Sequence, residues 1–299
     1  LTVKKNELKI SVIFWSLIFF FGSLLSGQKY PFGSEKLGSY FRIVVSEEDT
    51  TGLQAAISQS YALVDQLNLI FSDYLAYSEC QKLSKAEAHQ WIEISEDMFQ
   101  VLKEAQKACK ISKGAFNVTI GTVTALWRSE FDGHERERKI DSLLQCVTCD
   151  NFKIDKKSHR IYKSRDCFSF DFGGIAKGYI SQKVSNLLKS LGFNRHLIDA
   201  GGDLVLGDAP PGSKGWKIKI EDSHQTLILK NTSIATSGRT YQHYEDQSLY
   251  DIHIINPFKS LNSGNNKKSV TVISKNAMKA DWMATWKFIT ASDKAVYRY

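Results

Sequence analysis

The stretch Asp171-Phe-Gly-Gly-Ile-Ala-Lys-Gly178 joins a strand-like run, Phe168 to Asp171, to a helical one. Two glycines at a helix start let backbone approach a ligand closely. The free N–H groups and the helix dipole favour an anion there. Lys177, in the first turn, could place a positive charge on a phosphate, and Asp171 could accept a hydrogen bond from a ligand N–H or hydroxyl. The competing account is a tight turn with a solvated lysine. Asp-Phe-Gly does not indicate a protein kinase, since no His-Arg-Asp loop or glycine-rich nucleotide loop precedes it. Asp281 and Thr285, four residues apart, share one helix face. A carboxylate and a hydroxyl oxygen are hard ligands suited to Mg²⁺, although a surface Asp and a Thr bonded to its own helix backbone would give the same letters. His253, in Asp251-Ile-His-Ile-Ile-Asn-Pro257, lies by alternation opposite Ile252 and Ile254. It could act as a general base or hold a phosphate, or be structural. Thr236-Ser237-Gly238-Arg239 reads as a small-residue turn after a strand, able to line a nucleotide pocket.

These residues need elements to position them. Tyr40 to Val45 reads as a strand after a Gly/Ser-containing lead-in, residues 28–38. Leu53, Ile57, Ala62, Val64, Leu67 and Ile70 form one apolar face of a helix over Thr51 to Ile70. A second helix, with room for an interruption, is expected over Ser84 to Cys109. Charged residues 129–165 suggest short surface strands. Ile180, Val184, Leu187, Leu188 and Leu191 predict a helix over Ala176 to Leu191, stopped by Gly192 at C′. Strands are expected at His196 to Ala200 and Leu204 to Leu206, with Gly201-Gly202 as the turn. Pro210-Pro211 marks a surface turn. Trp216, Ile218 and Ile220 alternate with Lys217, Lys219 and Glu221, which indicates a half-buried strand. Further strands fit 226–229, 252–255 and 270–274, and a helix fits Asn276 to Ile289. Strands following one another directly favour an α+β fold with largely antiparallel sheet over a doubly wound one.

The bulk properties are compatible with such a domain. In 299 residues, 42% are hydrophobic and 24% charged, an ordinary globular balance that argues against disorder. The net charge of +7 admits anionic partners. The lysines are scattered, however, and no helix-turn-helix, zinc-finger spacing or basic–aromatic cluster points to nucleic acid. Lys4, Lys5 and Lys9 precede an uncharged apolar run from Ile10 to Leu25, followed by Ser26 and Gly27. Residues 1–27 therefore read as a secretory signal or a membrane anchor, with residues 28–299 as one domain outside the cytoplasm. No cysteine lies at the cleavage region. The five cysteines cannot all pair within one chain. Cys146-Val-Thr-Cys149 could be an exposed disulfide or ordinary thiols, and lacks the extra ligands of a structural zinc site.

Eight blocks occur in order: Leu37-Gly-Ser39, Phe71 to Glu79, Gly114-Ala-Phe-Asn-Val-Thr-Ile-Gly121, the Asp171–Gly178 stretch, Asp199-Ala-Gly-Gly-Asp203, Ala235-Thr-Ser-Gly238, His253-Ile-Ile-Asn-Pro257 and Ala277 to Thr285. Together they resemble the FAD:protein FMN transferases, the ApbE family, over roughly residues 35–290. The resemblance implies largely antiparallel or mixed sheets flanked by helices around a flavin cleft. It also implies an exported Mg²⁺-dependent enzyme that moves FMN from FAD to a Thr or Ser of an acceptor protein, itself membrane-bound or exported. Leu37, Tyr74, Ala115, Phe116, Asn117, Asp171 and Lys177 would contact FAD. Asp281, Thr285 and the carbonyl of Gly174 would hold the metal, and His253 would stand near the reacting phosphate. The chain departs from the family pattern at Leu37-Gly38-Ser39 (Met-Gly-Thr), Asn117 (Asp), Asn256 (Asp) and Phe258-Lys259-Ser260 (Arg-Thr-Gly), which removes two carboxylates near the site. A metal-dependent FAD pyrophosphatase, with water replacing the acceptor hydroxyl, and a non-catalytic flavin-binding module stand as alternatives.

Overall fold

The computed structural model describes residues 27–129, 133–220, 225–238, 254–258, 269–290 and 296–299. A seven-stranded sheet carries the molecule, in the order β1 (Tyr30–Lys36), β2 (Ser39–Val45), β6 (His196–Ala200), β7 (Asp203–Leu206), β10 (Thr232–Gly238), β11 (Ser269–Ser274), β12 (Val296–Arg298). All neighbours pair antiparallel except β11 with β12. β3 (Trp91–Glu93), β5 (Arg160–Lys163) and β4 (Phe152–Asp155) form a small antiparallel sheet in that order. β8 (Trp216–Ile220) and β9 (Gln225–Leu229) pair as a two-stranded ribbon. The helices are α1 (Leu53–Phe71), α2 (Glu79–Lys85), α3 (Glu96–Ile111), α4 (Gly121–Trp127), α5 (Gly133–Leu144), α6 (Ala176–Ser190) and α7 (Ala277–Thr290). The fold is thus α+β, with no doubly wound arrangement.

Strand alternation sorts the large sheet into two faces. Phe41, Ile43, Val45, Ile198, Ala200, Val205, Ala235 and Val272 face the helices, where α1, α6 and α7 bury Val64, Ile180, Val184 and Trp282 against them. Their sequence neighbours Val44, Leu197, Leu204, Leu206, Ile234 and Ile273 point the other way and are covered by Trp216, Ile218 and Ile220 of β8. The alternation at 216–220 is therefore the underside of a lid on the sheet's second face.

Several local expectations change. Residues 30–36 are a strand rather than a lead-in, closed onto β2 by Leu37 and Gly38, both at positive φ (55° and 70°). The helix expected over Ser84 to Cys109 divides into α2, β3 and α3. The Ser95 side chain caps α3 by accepting from Met98 N, while Glu79 accepts from Ser95 N and Oγ, and a cap is a boundary. Within 129–165, where short surface strands are expected, α5 precedes β4 and β5, which bury Phe152, Ile161 and Lys163. Ala62 of α1 and Leu191, just past α6, are exposed rather than part of their apolar faces. Phe168 to Asp171 is extended but joins no sheet: Ser169 O accepts from Gly121 N, Asp171 N donates to Val118 O, and Phe170 N donates to Ser84 Oγ. Thr236 to Gly238 continue β10, each opposite a β11 residue, rather than turning. Ile254 and Ile255 lie outside any strand. Gly192, at φ 91°, ends α6 as expected.

The cysteines pair as Cys109–Cys149 and Cys146–Cys167, leaving Cys80 buried and free. The Cys146–Cys149 segment therefore does not close on itself, but reaches out in two directions. Among the described residues, no helix is long and apolar enough to cross a membrane. The apolar run to Leu25 lies outside the described residues.

Candidate functional site

α6 begins on a turn in which Ile175 N and Ala176 N both donate to Phe172 O, at 3.0 and 2.8 Å. Gly178 N, one of the donors a helix start leaves without an internal partner, instead donates to Asp281 Oδ2 of α7 at 2.9 Å. The helices meet here because Gly178 has no side chain: an added Cβ would stand 2.4 Å from Ala277 O and 2.9 Å from the Cβ of Asp281. One turn along α7, the Thr285 hydroxyl lies 3.3 Å from Ser237 Oγ of β10. It also lies 3.0 Å from where a Cβ on Gly174 would be. Asp281 is thus set against the backbone of Gly178, and Thr285 beside that of Gly174.

The charge balance at this end is uneven. Asp281 is 4% exposed. Burial, and then the nearby Asp203, push its carboxyl up to about 8 against the opposing pull of Lys177 and Gly178 N. A carboxylate so short of positive charge fits a hard divalent cation. Lys177 Nζ pairs with Asp203 Oδ2 at 2.8 Å. Burial opposes its charge, but Asp203, Asp281 and Asp199 outweigh that and hold it above the ordinary lysine value. Lys177 therefore keeps its charge, with its ammonium paired to Asp203.

The second end of the site is built from the loops after α3 and before α6. Ser112 Oγ accepts from Phe116 N at 2.9 Å. Asn117 Oδ1 accepts from both Thr119 N (3.0 Å) and Thr119 Oγ1 (2.9 Å), capping the 3₁₀ turn Val118–Ile120. The Asn117 amide nitrogen is buried without a partner among the described residues. The Phe116 ring edge lies 3.2 Å from the would-be Cβ of Gly174, which links the two ends. Ala115 and Phe116 are otherwise buried in the core. Asn151 holds this loop from beneath. Its Nδ2 donates to Thr119 Oγ1 at 2.8 Å and to Cys146 O at 2.6 Å, and its Oδ1 accepts from Thr148 Oγ1 at 2.9 Å.

Asp171 is already engaged. Its Oδ1 accepts from Gly173 N at 2.7 Å, and its Oδ2 from Thr124 Oγ1 at 2.7 Å and Arg128 Nη2 at 3.1 Å. The other arm of Arg128 pairs with Asp73, and its guanidinium lies 4.7 Å from the ring centre of Tyr74. The Tyr74 side chain is 75% exposed. Burial and the neighbouring Asp171 push the Asp73 carboxyl up, against Arg128. Leu37, at the β1–β2 turn, is partly buried against the core. The adjacent Ser39 side chain touches the Gly201 turn that precedes Asp203. His253 lies outside the described residues. Just after it, Asn256 Oδ1 accepts from Phe258 N, and the Phe258 ring lies over Gly114.

The fold therefore gathers Asp171 with Tyr74, Phe116 with Gly174 and Thr285, and Lys177 with the neighbourhood of Asp281. Reasoning from sequence missed Arg128 and Asn151 altogether, placed Ser237 only in a turn able to line a pocket, and gave Asp73 and Asp203 no role of their own. Asp203 carried a signal, as the last residue of the Asp199–Asp203 block. Nothing in the letters around Arg128 marks it.

The ApbE family model matches residues 37–297. An FAD:protein FMN transferase of Klebsiella pneumoniae (strain 342) is 25% identical over 262 residues, covering 87% of this chain and 82% of that protein. One from Haemophilus influenzae is 27% identical over 252 residues, covering 79% and 72%. The ApbE protein of Thermotoga maritima superposes with a TM-score of 0.76 at 25% identity, covering 89% of this chain and 88% of that one. The flavin transferase ApbE from Vibrio cholerae gives 0.75 at 23% identity, covering 88% and 87%, which bears on the fold alone. With the family model matching residues 37–297, most of its length, the chain belongs to the ApbE family.

Proposed function

We propose that this protein transfers the FMN half of FAD to a Thr or Ser hydroxyl of another protein and releases AMP. The observation that carries the reading is the junction of α6 with α7, where Asp281 is buried against Gly178 N and the Thr285 hydroxyl lies beside Gly174. Asp281, Thr285 and the Gly174 carbonyl would hold Mg²⁺, which when bound supplies charge neutralisation to the pyrophosphate. Lys177, beside the α6 N-terminus, offers a fixed positive charge to phosphate oxygens. Asp171, Tyr74, Leu37 and the Ala115–Asn117 loop would orient FAD. His253 is assigned to take the proton of the acceptor hydroxyl as that oxygen attacks phosphorus and AMP leaves. The names of the curated relatives support the activity.

The reading also places the protein outside the cytoplasm, either free in the periplasm or anchored through residues 1–27. Two disulfides suit an oxidising compartment. The acceptor would then be an exported or membrane-bound redox protein.

Incubation with FAD, Mg²⁺ and an acceptor domain carrying an exposed Thr tests this, read by intact mass and by free FMN and AMP. An acceptor heavier by one FMN, with the gain abolished by EDTA, is expected. Free FMN and AMP with an unmodified acceptor would replace transfer by hydrolysis, and bound but intact FAD would leave a flavin-binding module.

A further inference from the structure

Asp203 is 5% exposed and lies in a block with no assigned role. Its Oδ2 is 2.8 Å from Lys177 Nζ. Its Oδ1 accepts from Thr236 N of β10 at 3.2 Å. The carboxylate is thus fastened to strand backbone on one side and to the lysine ammonium on the other. The next residue of β10, Ser237, meets the Thr285 hydroxyl. Two consecutive residues of one strand therefore brace the lysine and the metal-binding threonine.

A lysine in the first turn of a helix ordinarily extends its four-carbon stem toward water, keeping the ammonium solvated. Lys177 does not. Its ammonium is drawn to Asp203, which takes one of its three N–H donors and leaves two for other acceptors. The turn that delivers Asp203 needs Gly201 and Gly202 at φ 63° and 97°, conformations that glycine adopts without strain. We propose that Asp203 is the positioning residue for Lys177: it fixes the ammonium beside the α6 N-terminus so that its remaining donors meet the pyrophosphate of FAD. This rests on the reading that Lys177 contacts FAD.

The test is a double-mutant cycle of Asp203→Asn and Lys177→Met, with two readouts. One is kcat/KM for FAD. The other is the affinity for ADP in the absence of Mg²⁺ and acceptor, by calorimetry. Asp203→Asn alone is expected to lower kcat/KM about 10- to 100-fold, the range of a lost charge-assisted hydrogen bond, and to weaken ADP binding. In the Lys177→Met background the same change should cost less than about threefold, because the two residues act as one unit. Effects that multiply would overturn the inference, as would an Asp203→Asn protein that binds ADP like the parent while Lys177→Met does not. If Lys177→Met itself leaves ADP and FAD binding unchanged, the underlying reading of the site fails instead. Should Asp203→Asn not fold, Asp203→Glu keeps the charge but shifts it by one methylene. It is expected to lower kcat/KM while retaining cooperative melting, and parental kcat/KM and ADP affinity from that variant would equally overturn the inference.

Discussion

The two ends of the site are held together by different means. The α6–α7 end relies on close backbone approach and buried charge: Gly178 against Ala277, Asp281 on Gly178 N, Lys177 on Asp203. The loop end is cross-linked. Cys109 leads into the Gly114–Asn117 loop and Cys167 into the Asp171–Gly174 turn, and both are tied to the short Cys146–Cys149 segment that Asn151 fastens from below. Helices packed on a sheet can hold groups in place by burial. The loop end has little regular structure to pack, and covalent bonds supply what a ladder of hydrogen bonds would otherwise provide.

The first way to break this contrast is at the charged end. Asp281→Ala should lower FMN transfer on the order of 10³-fold, leave bound FAD detectable by fluorescence, and leave both disulfides intact by mass. Loss of FAD binding as well would mean that the ends are not separable. The loop end should respond to covalent change. Replacing Cys109 and Cys149 with Ser opens a 40-residue loop, which predicts a loss of about 4 kcal/mol in urea unfolding. The KM for FAD should rise more than kcat falls. Equal falls in kcat and kcat/KM would instead place the effect at the Asp281–Thr285 end.

Acid should act through a buried histidine at the far end of α6, away from both ends of the site. His196 of β6 is fully buried, with Nε2 on Ser185 of α6 and Nδ1 on Phe193 O, both at 2.8 Å. Burial pushes its pKa from 6.5 down to about 4. The folded state therefore binds fewer protons than the unfolded one between these values. This contribution to stability is fully present above pH 6.5 and is lost progressively as pH falls toward 4, by about 3 kcal/mol in all. Urea midpoints at pH 7 and pH 5 should differ in the parent and less so in His196→Gln. An unchanged slope with pH in that variant would assign the acid sensitivity elsewhere. The smallest expected effect is at the 3₁₀ turn. Asn117→Ala removes its cap and should cost about 1 kcal/mol by urea midpoint, and more once the disulfides are reduced. The same cost in both redox states would show that the staples do not support the loop.

Much of the frame was legible because it is written in short-range periodicity. The apolar spacing of 180–188 gave α6, Gly192 its end, and the alternation at 216–220 gave β8. The break of 84–109 was less legible, because the Ser95 cap depends on Glu79, sixteen residues upstream and brought close only by the fold. The small residues Thr236 to Gly238 look like a turn in sequence. They are a strand because β11 pairs with each of them. Within the site, Asp281 and Thr285 were legible as a helical pair, but Arg128 and Asp203 act through partners 43 and 26 positions away, Asp171 and Lys177. The disulfide connectivity was beyond reach, since spacing alone does not choose among pairings.

Gly178 carries one more consequence. Where two helices are separated by interlocking side chains, their spacing can drift as rotamers exchange. At Gly178 the spacer is a single hydrogen atom, and the next thing behind it is the Ala277 carbonyl. The jaw formed by Gly174 on one helix entry and Asp281 on the other is therefore gauged by covalent dimensions and not by side-chain packing. Breathing of the core can lengthen this gap only by pulling the helices apart. The smallest possible residue thus sets a tight tolerance at the junction of α6 with α7.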